Sequence, residues 1–473
     1  MGEIRRMRSS SAMKLSQAYR VTDWGRSRWS DSRVTASGDS FNTQPDLESM
    51  RAQCYAMDRN NGLFSGVLDR AIDNIVGSGP IFQMQTKDKG LNAALEERMA
   101  IYDAGEIDAT GLRNKREMLR HGLRAVLTGG DHSFAKLSNG KIQGIEAGLI
   151  VDDYNKPGTA SGIAHDSKGM ISGFRVGRWT EYGGIDRSNT RIIPAKHMMY
   201  LPHLTRWSAE RGVPVLASTI ELFERLDDYI EATIVAAQVG ACQAVAIATE
   251  MGGELAKQTS DTETAQDDDD QYIIEQEPGG IYYLRPGESV TQIKPEHPST
   301  QFEPFMKSML RLVGLPLGLP LELVLLDFSD TNYSSARAAF LQAYIGFRTW
   351  QYFLDSRFLR PLSDWKLTHF FKELGIKDTP ENRKFVNIPS GWAWVDPMKE
   401  AQGAKIAIEL GLTTLRDEAA KYGKFWEDNV AQRKIEIAAA KDAGMIVEVV
   451  EEEPQAGEEE QKPKEGKKEK KDE

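Results

Sequence analysis

Cysteine is nearly absent from this sequence, since Cys54 and Cys242 are the only two among 473 residues. Two cysteines cannot form a disulfide framework, and their scarcity favours a reducing compartment. Long apolar runs are also missing, because no stretch approaches the roughly 20 residues that a membrane-spanning helix requires. Residues 1–28 are polar and basic and lack the apolar core of a secretory signal. With 40% apolar and 27% charged residues, the composition predicts a soluble protein with no membrane partner.

The sequence lacks the common catalytic and metal-binding motifs. No Gly-x-x-x-x-Gly-Lys-Ser/Thr loop is present to cradle a phosphate, and the seven histidines do not stand at zinc-ligand spacing. The stretch closest to an active site is Gly129-Gly130-Asp131-His132-Ser133, but the side chains of adjacent residues diverge and cannot form a triad. We interpret it as a turn leading into a strand. We expect no catalytic residue, no cofactor and no bound metal.

Positive charge is in deficit, which gives a formal net charge of −11. Tight DNA binding needs clustered Lys and Arg facing phosphates, so this balance disfavours it, although it suits a surface that DNA must pass without adhering. The charge is uneven: residues 1–33 are basic, 261–270 are acidic, and 451–473 mix Glu and Lys blocks. We expect solvated, flexible segments at these three places.

Mixed helix and strand signals predict an α+β fold class. Apolar residues at helical spacing predict helices over 46–76 (broken at Asn60-Asn61-Gly62), 91–127, 214–251, 302–313, 333–355, 365–374 and 397–444 (broken at Gly411 and Gly423). Runs of β-branched and aromatic residues between Gly, Pro, Asp and Asn predict strands at 81–85, 145–151, 169–178 and 191–200, with further β pattern over 271–294.

The helix predicted for 214–251 is the longest. At 1.5 Å per residue it would reach on the order of 50 Å, which is longer than one small domain is wide. Its first half pairs bulky apolar residues with charges, and its second half is mostly Ala, Val and Gly, which let helices approach closely. Two interpretations remain open: a core helix of a globular enzyme, or a helix that packs on copies of itself in a ring.

A polar loop that runs directly into a helix, at 326–340, is the most informative local pattern. Asp, Ser and Asn favour turns and helix caps, whereas the Ala, Arg, Leu and Gln that follow favour helix. The loop supplies no nucleophile with a base, no metal cage and no phosphate cradle, so we expect contact rather than chemistry. The candidate contact residues are Asp327, Ser329, Asp330, Thr331, Asn332, Tyr333 and Arg337.

Four stretches, in chain order, carry a family resemblance. They are Arg59-Asn60-Asn61-Gly62 with Asp73-Asn74-Ile75-Val76-Gly77-Ser78-Gly79; Ile193-Pro194-Ala195 to His197 with Arg211-Gly212-Val213-Pro214; Gly314-Leu315-Pro316 with Asp327 and Asn332-Tyr333-Ser334-Ser335-Ala336-Arg337; and Trp394-Val395-Asp396-Pro397-Met398-Lys399-Glu400-Ala401 with Gly411-Leu412. Over about residues 45–435 the chain resembles the lambda-type portal proteins of tailed bacteriophages. It departs from them at Gly129-Gly130-Asp131, where that family has a Gly-Glu pair, and in the insertion at 261–270.

The resemblance implies a dodecameric ring around an axial channel, the head-to-tail connector through which double-stranded DNA is packaged and ejected without sequence readout. The loop would project into the channel as a tunnel loop, where Arg337 either touches phosphates or packs inside a helix bundle. The implied regions are a flexible basic arm (1–45), the first part of the wing and the first stem helix (46–139), the clip (140–205), the second stem helix (206–251), the second part of the wing (252–325), the tunnel loop and its helix (326–360), the crown (361–445) and a disordered charged tail (446–473).

The implied partners are further copies of the chain, DNA in the channel, the terminase large subunit, the major capsid protein and a head-tail adaptor. The terminase would hydrolyse ATP, which agrees with the missing phosphate loop. The implied location is the virion, at one capsid vertex, and the host cytoplasm during assembly.

The alternative hypothesis is a nucleic-acid-processing enzyme whose acidic residues Asp268, Asp269 and Asp270 bind a divalent metal. Such runs lack the spaced ligands and the Gly of a calcium loop, so a solvated loop is the favoured interpretation of 261–270.

Overall fold

A computed structural model describes residues 39–153, 155–156, 158–241, 245–249, 288–292, 301–329, 331–392, 397–422 and 426–443. The acidic stretch 261–270, the strand-like pattern over 271–287 and the tail from 446 lie outside them. The chain divides into two compact units, Met1–Val395 and Asp396–Glu473. Helices and strands are mixed in the first unit, which confirms the α+β class.

Two helices separated by one residue begin the described chain: α1 (Asp39–Asn60) and α2 (Gly62–Val76). The predicted break is confirmed, because the Asn61 side chain accepts a hydrogen bond from the Phe64 N–H at 2.7 Å and caps α2. The helix starts earlier than predicted, so the flexible arm expected for 1–45 is wrong for its last residues, which are helical from Asp39.

The helix predicted over 91–127 is two helices in the structure, α3 (Lys89–Ile101, followed by a π turn at Tyr102–Glu106) and α4 (Lys115–Gly129). Between them the Asp108 carboxylate accepts hydrogen bonds from the Thr110 hydroxyl and from the Leu112 N–H at 3.2 Å. Such a side chain offers the backbone an alternative to helix, which is why the continuous-helix prediction was wrong here.

In the described ranges, ten strands form four small antiparallel sheets. They are β1 (Ile81–Met84), β2 (Asp131–Lys136), β3 (Ile142–Glu146), β4 (Ile163–His165), β5 (Ile171–Trp179), β6 (Ile185–Pro194), β7 (Met198–Pro202), β8 (Val245–Thr249), β9 (Glu288–Gln292) and β10 (Phe385–Ile388). The strand orders are β1-β10, β3-β2-β7, β4-β5-β6 and β8-β9.

The strands confirm some predictions and shift others. β1, β5 and the turn into β2 lie as predicted, but the strand expected at 145–151 ends at Glu146 and continues as a 3₁₀ turn. The strand expected at 191–200 is two strands, because a 3₁₀ turn at Ala195–His197 follows Pro194 and separates β6 from β7. Proline cannot donate to a ladder, which favours a strand end at that position.

The long helix is shorter than predicted. After a 3₁₀ turn at Val215–Thr219, α5 runs over Ile220–Ala241, and Val245–Thr249 forms β8 instead of its last turns. In β8 the β-branched residues Val245, Ile247 and Thr249 alternate with alanines, and the strand pairs in antiparallel register with β9. That pairing joins positions about 43 residues apart, so local helix propensity does not reveal it.

Between residues 302 and 374 the described part of the first unit is mostly helical. It contains α6 (Phe302–Gly314), α7 (Leu321–Leu325), α8 (Tyr333–Leu354), a π turn (Asp355–Leu359) and α9 (Arg360–Leu374). The helices predicted at 302–313, 333–355 and 365–374 are therefore confirmed. Helix α8 packs against α2, where the Gln351 side chain donates a hydrogen bond to the Ile75 carbonyl at 3.0 Å.

In the main core, helices α2, α4, α8 and α9 pack around large buried rings such as Phe64, Phe223 and Phe347. A smaller buried cluster is shared by the sheets β4-β5-β6 and β3-β2-β7. None of the helices in the described part of the chain is both long enough and apolar enough to cross a bilayer.

The second unit contains α10 (Pro397–Glu409), α11 (Leu415–Lys421) and α12 (Trp426–Asp442). Gly411 adopts φ +71° after α10, which confirms the interruption predicted there. Gly423 lies outside the described residues.

Candidate functional site

The polar loop at 326–332 leaves α7 through a left-handed residue, Leu326, with φ +55°. The described residues of the loop form local hydrogen bonds. An Asp327 carboxylate oxygen accepts hydrogen bonds from the Ser329 N–H at 3.0 Å and from the Ser329 hydroxyl at 2.7 Å. The Thr331 N–H donates to the Phe328 carbonyl at 3.3 Å. The described loop residues are thus held by their own turns.

The loop is anchored to the first turns of α8. The Asn332 side chain caps this helix by accepting a hydrogen bond from the Ser335 N–H at 2.9 Å. The exposed ring of Phe328 lies edge-on to Phe340, with ring centres 5.8 Å apart. Asp330 lies outside the described residues, Tyr333 is the first residue of α8, and Arg337 is half-buried and engaged by neighbouring groups.

The loop carries a fixed negative charge at Asp327. The Ser329 hydroxyl, then the Ser329 N–H and the charge of Lys307, lower the pKa of Asp327 below its usual value. The carboxylate is fully ionised near neutral pH and repels a phosphate backbone. Across the described ranges, no three His, Cys, Asp or Glu side chains are placed to hold a metal ion. The arrangement supports contact and charge, not bond chemistry.

A second group of interacting side chains, which the sequence analysis did not predict, forms a buried ion-pair network. Arg211 uses all five of its N–H donors. Two reach the Asp131 carboxylate, at 2.7 Å and 3.0 Å, and three reach the carbonyls of Ala147, Ile150 and Ser161 at 2.7 to 2.9 Å. Burial alone would raise the pKa of Asp131, but the charges of Arg211 and Arg51 outweigh it and lower that pKa.

The network joins four parts of the first unit. Arg51 from α1 donates to the Gly129 carbonyl at 2.7 Å and to Asp131 at 3.2 Å, and Tyr200 from β7 donates its hydroxyl to the same carboxylate at 3.2 Å. Helix α1, the start of β2, β7 and the segment before α5 therefore meet at one carboxylate. We call Arg51, Asp131, Tyr200 and Arg211 the junction node.

Two glycines allow two backbone segments to pass close to each other beside the junction node. Gly130 has φ +83°, and a Cβ there would lie 2.2 Å from the Gly212 carbonyl oxygen. A Cβ on Gly212 would lie 1.8 Å from the Gly130 carbonyl oxygen, so neither position admits a side chain. The sequence analysis singled out both Gly129-Gly130-Asp131 and Arg211-Gly212-Val213-Pro214. It did not predict that they touch, because they lie about 80 residues apart in the chain.

Comparison with known proteins identifies relatives. Residues 26–351 match the family model described as phage portal protein, lambda family. The chain is 25% identical over 315 residues to a probable portal protein of Halomonas phage phiHAP-1, covering 65% of this chain and 58% of the phage protein. It is also 25% identical over 176 residues to portal protein B of Escherichia phage lambda, covering 35% of this chain and 33% of that protein. The chain thus spans less than two thirds of these relatives' length.

The solved structures that this chain matches include the neck of an empty gene transfer agent particle, at a TM-score of 0.49 and 10% identity, covering 77% of this chain and 89% of that one. A HK97 family phage portal protein from Corynebacterium diphtheriae matches at a TM-score of 0.27 and 10% identity, covering 71% and 94%.

Proposed function

The chain belongs to the lambda family of phage portal proteins, and we propose that it forms the ring channel through which double-stranded DNA enters and leaves a phage or prophage head. Portal proteins are structural proteins and not enzymes. The family assignment therefore contradicts the alternative of a metal-dependent nucleic-acid-processing enzyme.

The family match carries this proposal, because it spans residues 26–351 and includes both the junction node and the tunnel loop. The proposed partners are further copies in a dodecamer, DNA in the channel, the terminase large subunit, the major capsid protein and a head-tail adaptor. The proposed locations are the capsid vertex and, during assembly, the host cytoplasm.

We further propose the wing, clip, stem, tunnel-loop and crown regions with the boundaries implied by the resemblance. The sheet β4-β5-β6 lies within 140–205, which supports a clip module there. Its buried residues Ile163 and Phe174 share a small cluster with residues of the sheet β3-β2-β7, so the two sheets are packed together. Strand β2 precedes residue 140 but pairs with β3 and β7, so one sheet joins the wing to the clip. The second stem helix is α5, which ends at Ala241 instead of near 251.

The tunnel loop is proposed to line the channel through Asp327, Ser329, Asp330, Thr331, Asn332, Tyr333 and Arg337. Its support is the exposed position of the described loop residues and the ionised Asp327 carboxylate. A negative loop would let DNA slide past without adhering.

Electron cryomicroscopy of the purified chain tests the ring. We expect closed rings with an axial opening wider than the roughly 20 Å diameter of duplex DNA, whose groove dimensions set this scale. Particles without a central opening, at protein concentrations where the chain is fully folded, would overturn the proposed function.

A further inference from the structure

One face of α5 changes along its length from acidic to apolar. Glu224, Asp228, Glu231 and Val235 follow one another at intervals of four, three and four residues, so they lie along one stripe. All four are exposed, and Val235 keeps 50% of its surface in solvent. Arg225 is the only basic residue of this helix, and it already pairs with Glu221 at 2.5 Å.

The acidic part of this stripe is crowded with like charge. Although Glu224 is exposed, partial desolvation of its carboxylate raises its pKa, and the neighbouring carboxylates of Asp228 and Glu221 raise it further. A cation from outside the helix would relieve this repulsion. We call Glu224, Asp228, Glu231 and Val235 the α5 stripe.

The exposed face of α8 carries two apolar residues followed by an arginine and a tyrosine. Leu341, Ile345, Arg348 and Tyr352 follow one another at the same four, three and four residue intervals. Leu341 and Ile345 are 54% and 61% exposed, and they lie on the side of α8 away from the buried Phe347. The helix contains two arginines and no acidic residue. We call these four residues the α8 stripe.

We propose that the α5 stripe of one copy of this chain packs against the α8 stripe of the next copy, with the two helices antiparallel. Val235 and Asp228 are seven residues apart, as are Leu341 and Arg348, so each pair spans about 10 Å along its helix axis. When Val235 meets Leu341, Asp228 therefore meets Arg348. A single register therefore forms both this apolar contact and this ion pair. It also sets Glu231 opposite Ile345 and Glu224 opposite Tyr352, so the Asp228–Arg348 pair is the charge contact that defines it.

Because the two stripes differ, this contact is heterologous: each copy offers α5 to one neighbour and α8 to the other. Such contacts either close into a ring or continue as a filament. Closure into a ring rests on the proposed portal function, whereas the contact itself rests on the charge and spacing of the two stripes.

Charge reversal with rescue tests the contact. Asp228→Arg and Arg348→Asp, each alone, set like charges against each other, and we expect association of the full-length chain to weaken by about tenfold or more. The chain carrying both substitutions restores opposite charges and is expected to assemble like the parent. Glu97→Arg, an exposed reversal on α3, is the matched control and should leave assembly unchanged. Native mass spectrometry over a protein dilution series reports the oligomer, and circular dichroism confirms that each variant is folded.

A second measurement detects the register directly. Cysteines introduced together by Val235→Cys and Leu341→Cys should form a disulfide between chains, because facing Cβ atoms in such a contact come within bonding reach. Val235→Cys combined with Glu97→Cys should not. Folded single reversals that assemble like the parent, or a double variant without rescue, would overturn the contact and leave the ring function standing. A parent chain that remains monomeric would overturn the ring function and the contact together.

Discussion

Gly130 and Gly212 show how strongly single residues constrain this fold. Gly130→Ala puts a methyl group 2.2 Å from a backbone oxygen at a positive φ, so the backbone beside the junction node must move. We expect a loss of at least about 3 kcal/mol in the free energy of unfolding, from steric strain and a disturbed buried ion pair.

The matched control is the same substitution in an open place. Gly346 lies inside α8 with no atom within 4 Å of its missing Cβ, so Gly346→Ala should stabilise the chain by up to about 1 kcal/mol. Urea unfolding midpoints of the two variants measure the difference. Similar midpoints would show that the glycine crossing tolerates a side chain.

His132 gives the chain a pH dependence at the residue scale. Burial lowers its pKa from 6.5 to about 4, against a smaller opposing effect of Asp131. Between these values the unfolded chain takes up a proton that the folded chain does not, so stability is full above pH 6.5 and falls as the pH drops towards 4. From pH 7 to pH 5 the expected loss is about 2 kcal/mol.

Replacing the imidazole should reduce this dependence of stability on pH. His132→Leu deletes a buried ring whose Nδ1 has no hydrogen-bond partner, so the stability at pH 7 should change little while the loss at pH 5 becomes smaller by about 2 kcal/mol. Burial also lowers the pKa values of His121 and His203, so these two residues maintain part of the loss. His197→Leu, at an exposed position, should keep the parent's slope. Urea midpoints at pH 7, 6 and 5 make the comparison, and equal slopes in the parent and His132→Leu would contradict the assignment.

At the scale of elements, local signals were readable from the sequence and non-local ones were not. Asn61 and Asn332 each cap a helix through a residue three positions on, and both helix starts were predicted from such polar residues. The end of α5 was not, because β8 depends on a partner strand about 43 residues away. The junction node was missed for the same reason, since Arg51, Asp131 and Arg211 are brought together only by the finished fold.

The tunnel loop offers a test that separates its structural role from its contact role. Asn332→Ala removes the cap of α8 and should cost about 1 kcal/mol of unfolding free energy. Asn332→Asp keeps a capping oxygen beside the positive end of the helix, so its stability should equal or slightly exceed that of the parent. It nevertheless adds one negative charge per copy to the loop.

If the loop lines the channel, Asn332→Asp should alter DNA packaging or retention in assembled heads without changing urea stability or ring formation. Packaged DNA per particle, measured by nuclease protection, is the readout. Normal packaging by a stable Asn332→Asp ring, together with poor packaging by Asn332→Ala, would show that the loop matters only through helix stability.

At the scale of the whole molecule, the electrostatic field of the assembled ring determines how strongly the ring binds DNA. Each chain carries a net charge of −11, so twelve copies would carry 12 × −11, or about −132. Such a ring should retain little duplex DNA even at low salt, because its acidic residues outnumber its basic ones (70 against 59 per chain) and its net field repels the phosphates. Asp327→Lys changes the charge by two units per copy, or about 24 units in a dodecamer, at the place where the loop narrows the proposed channel.

Purified Asp327→Lys rings should bind duplex DNA, and the logarithm of their affinity should fall linearly with the logarithm of the salt concentration. Glu97→Lys rings carry the same added charge on α3 and should bind DNA far less. Filter binding between 20 and 200 mM salt measures both. Equal binding by the two variants would place Asp327 away from the path of the DNA, since a charge that faces the channel acts within a Debye length of about 10 Å and a remote one does not.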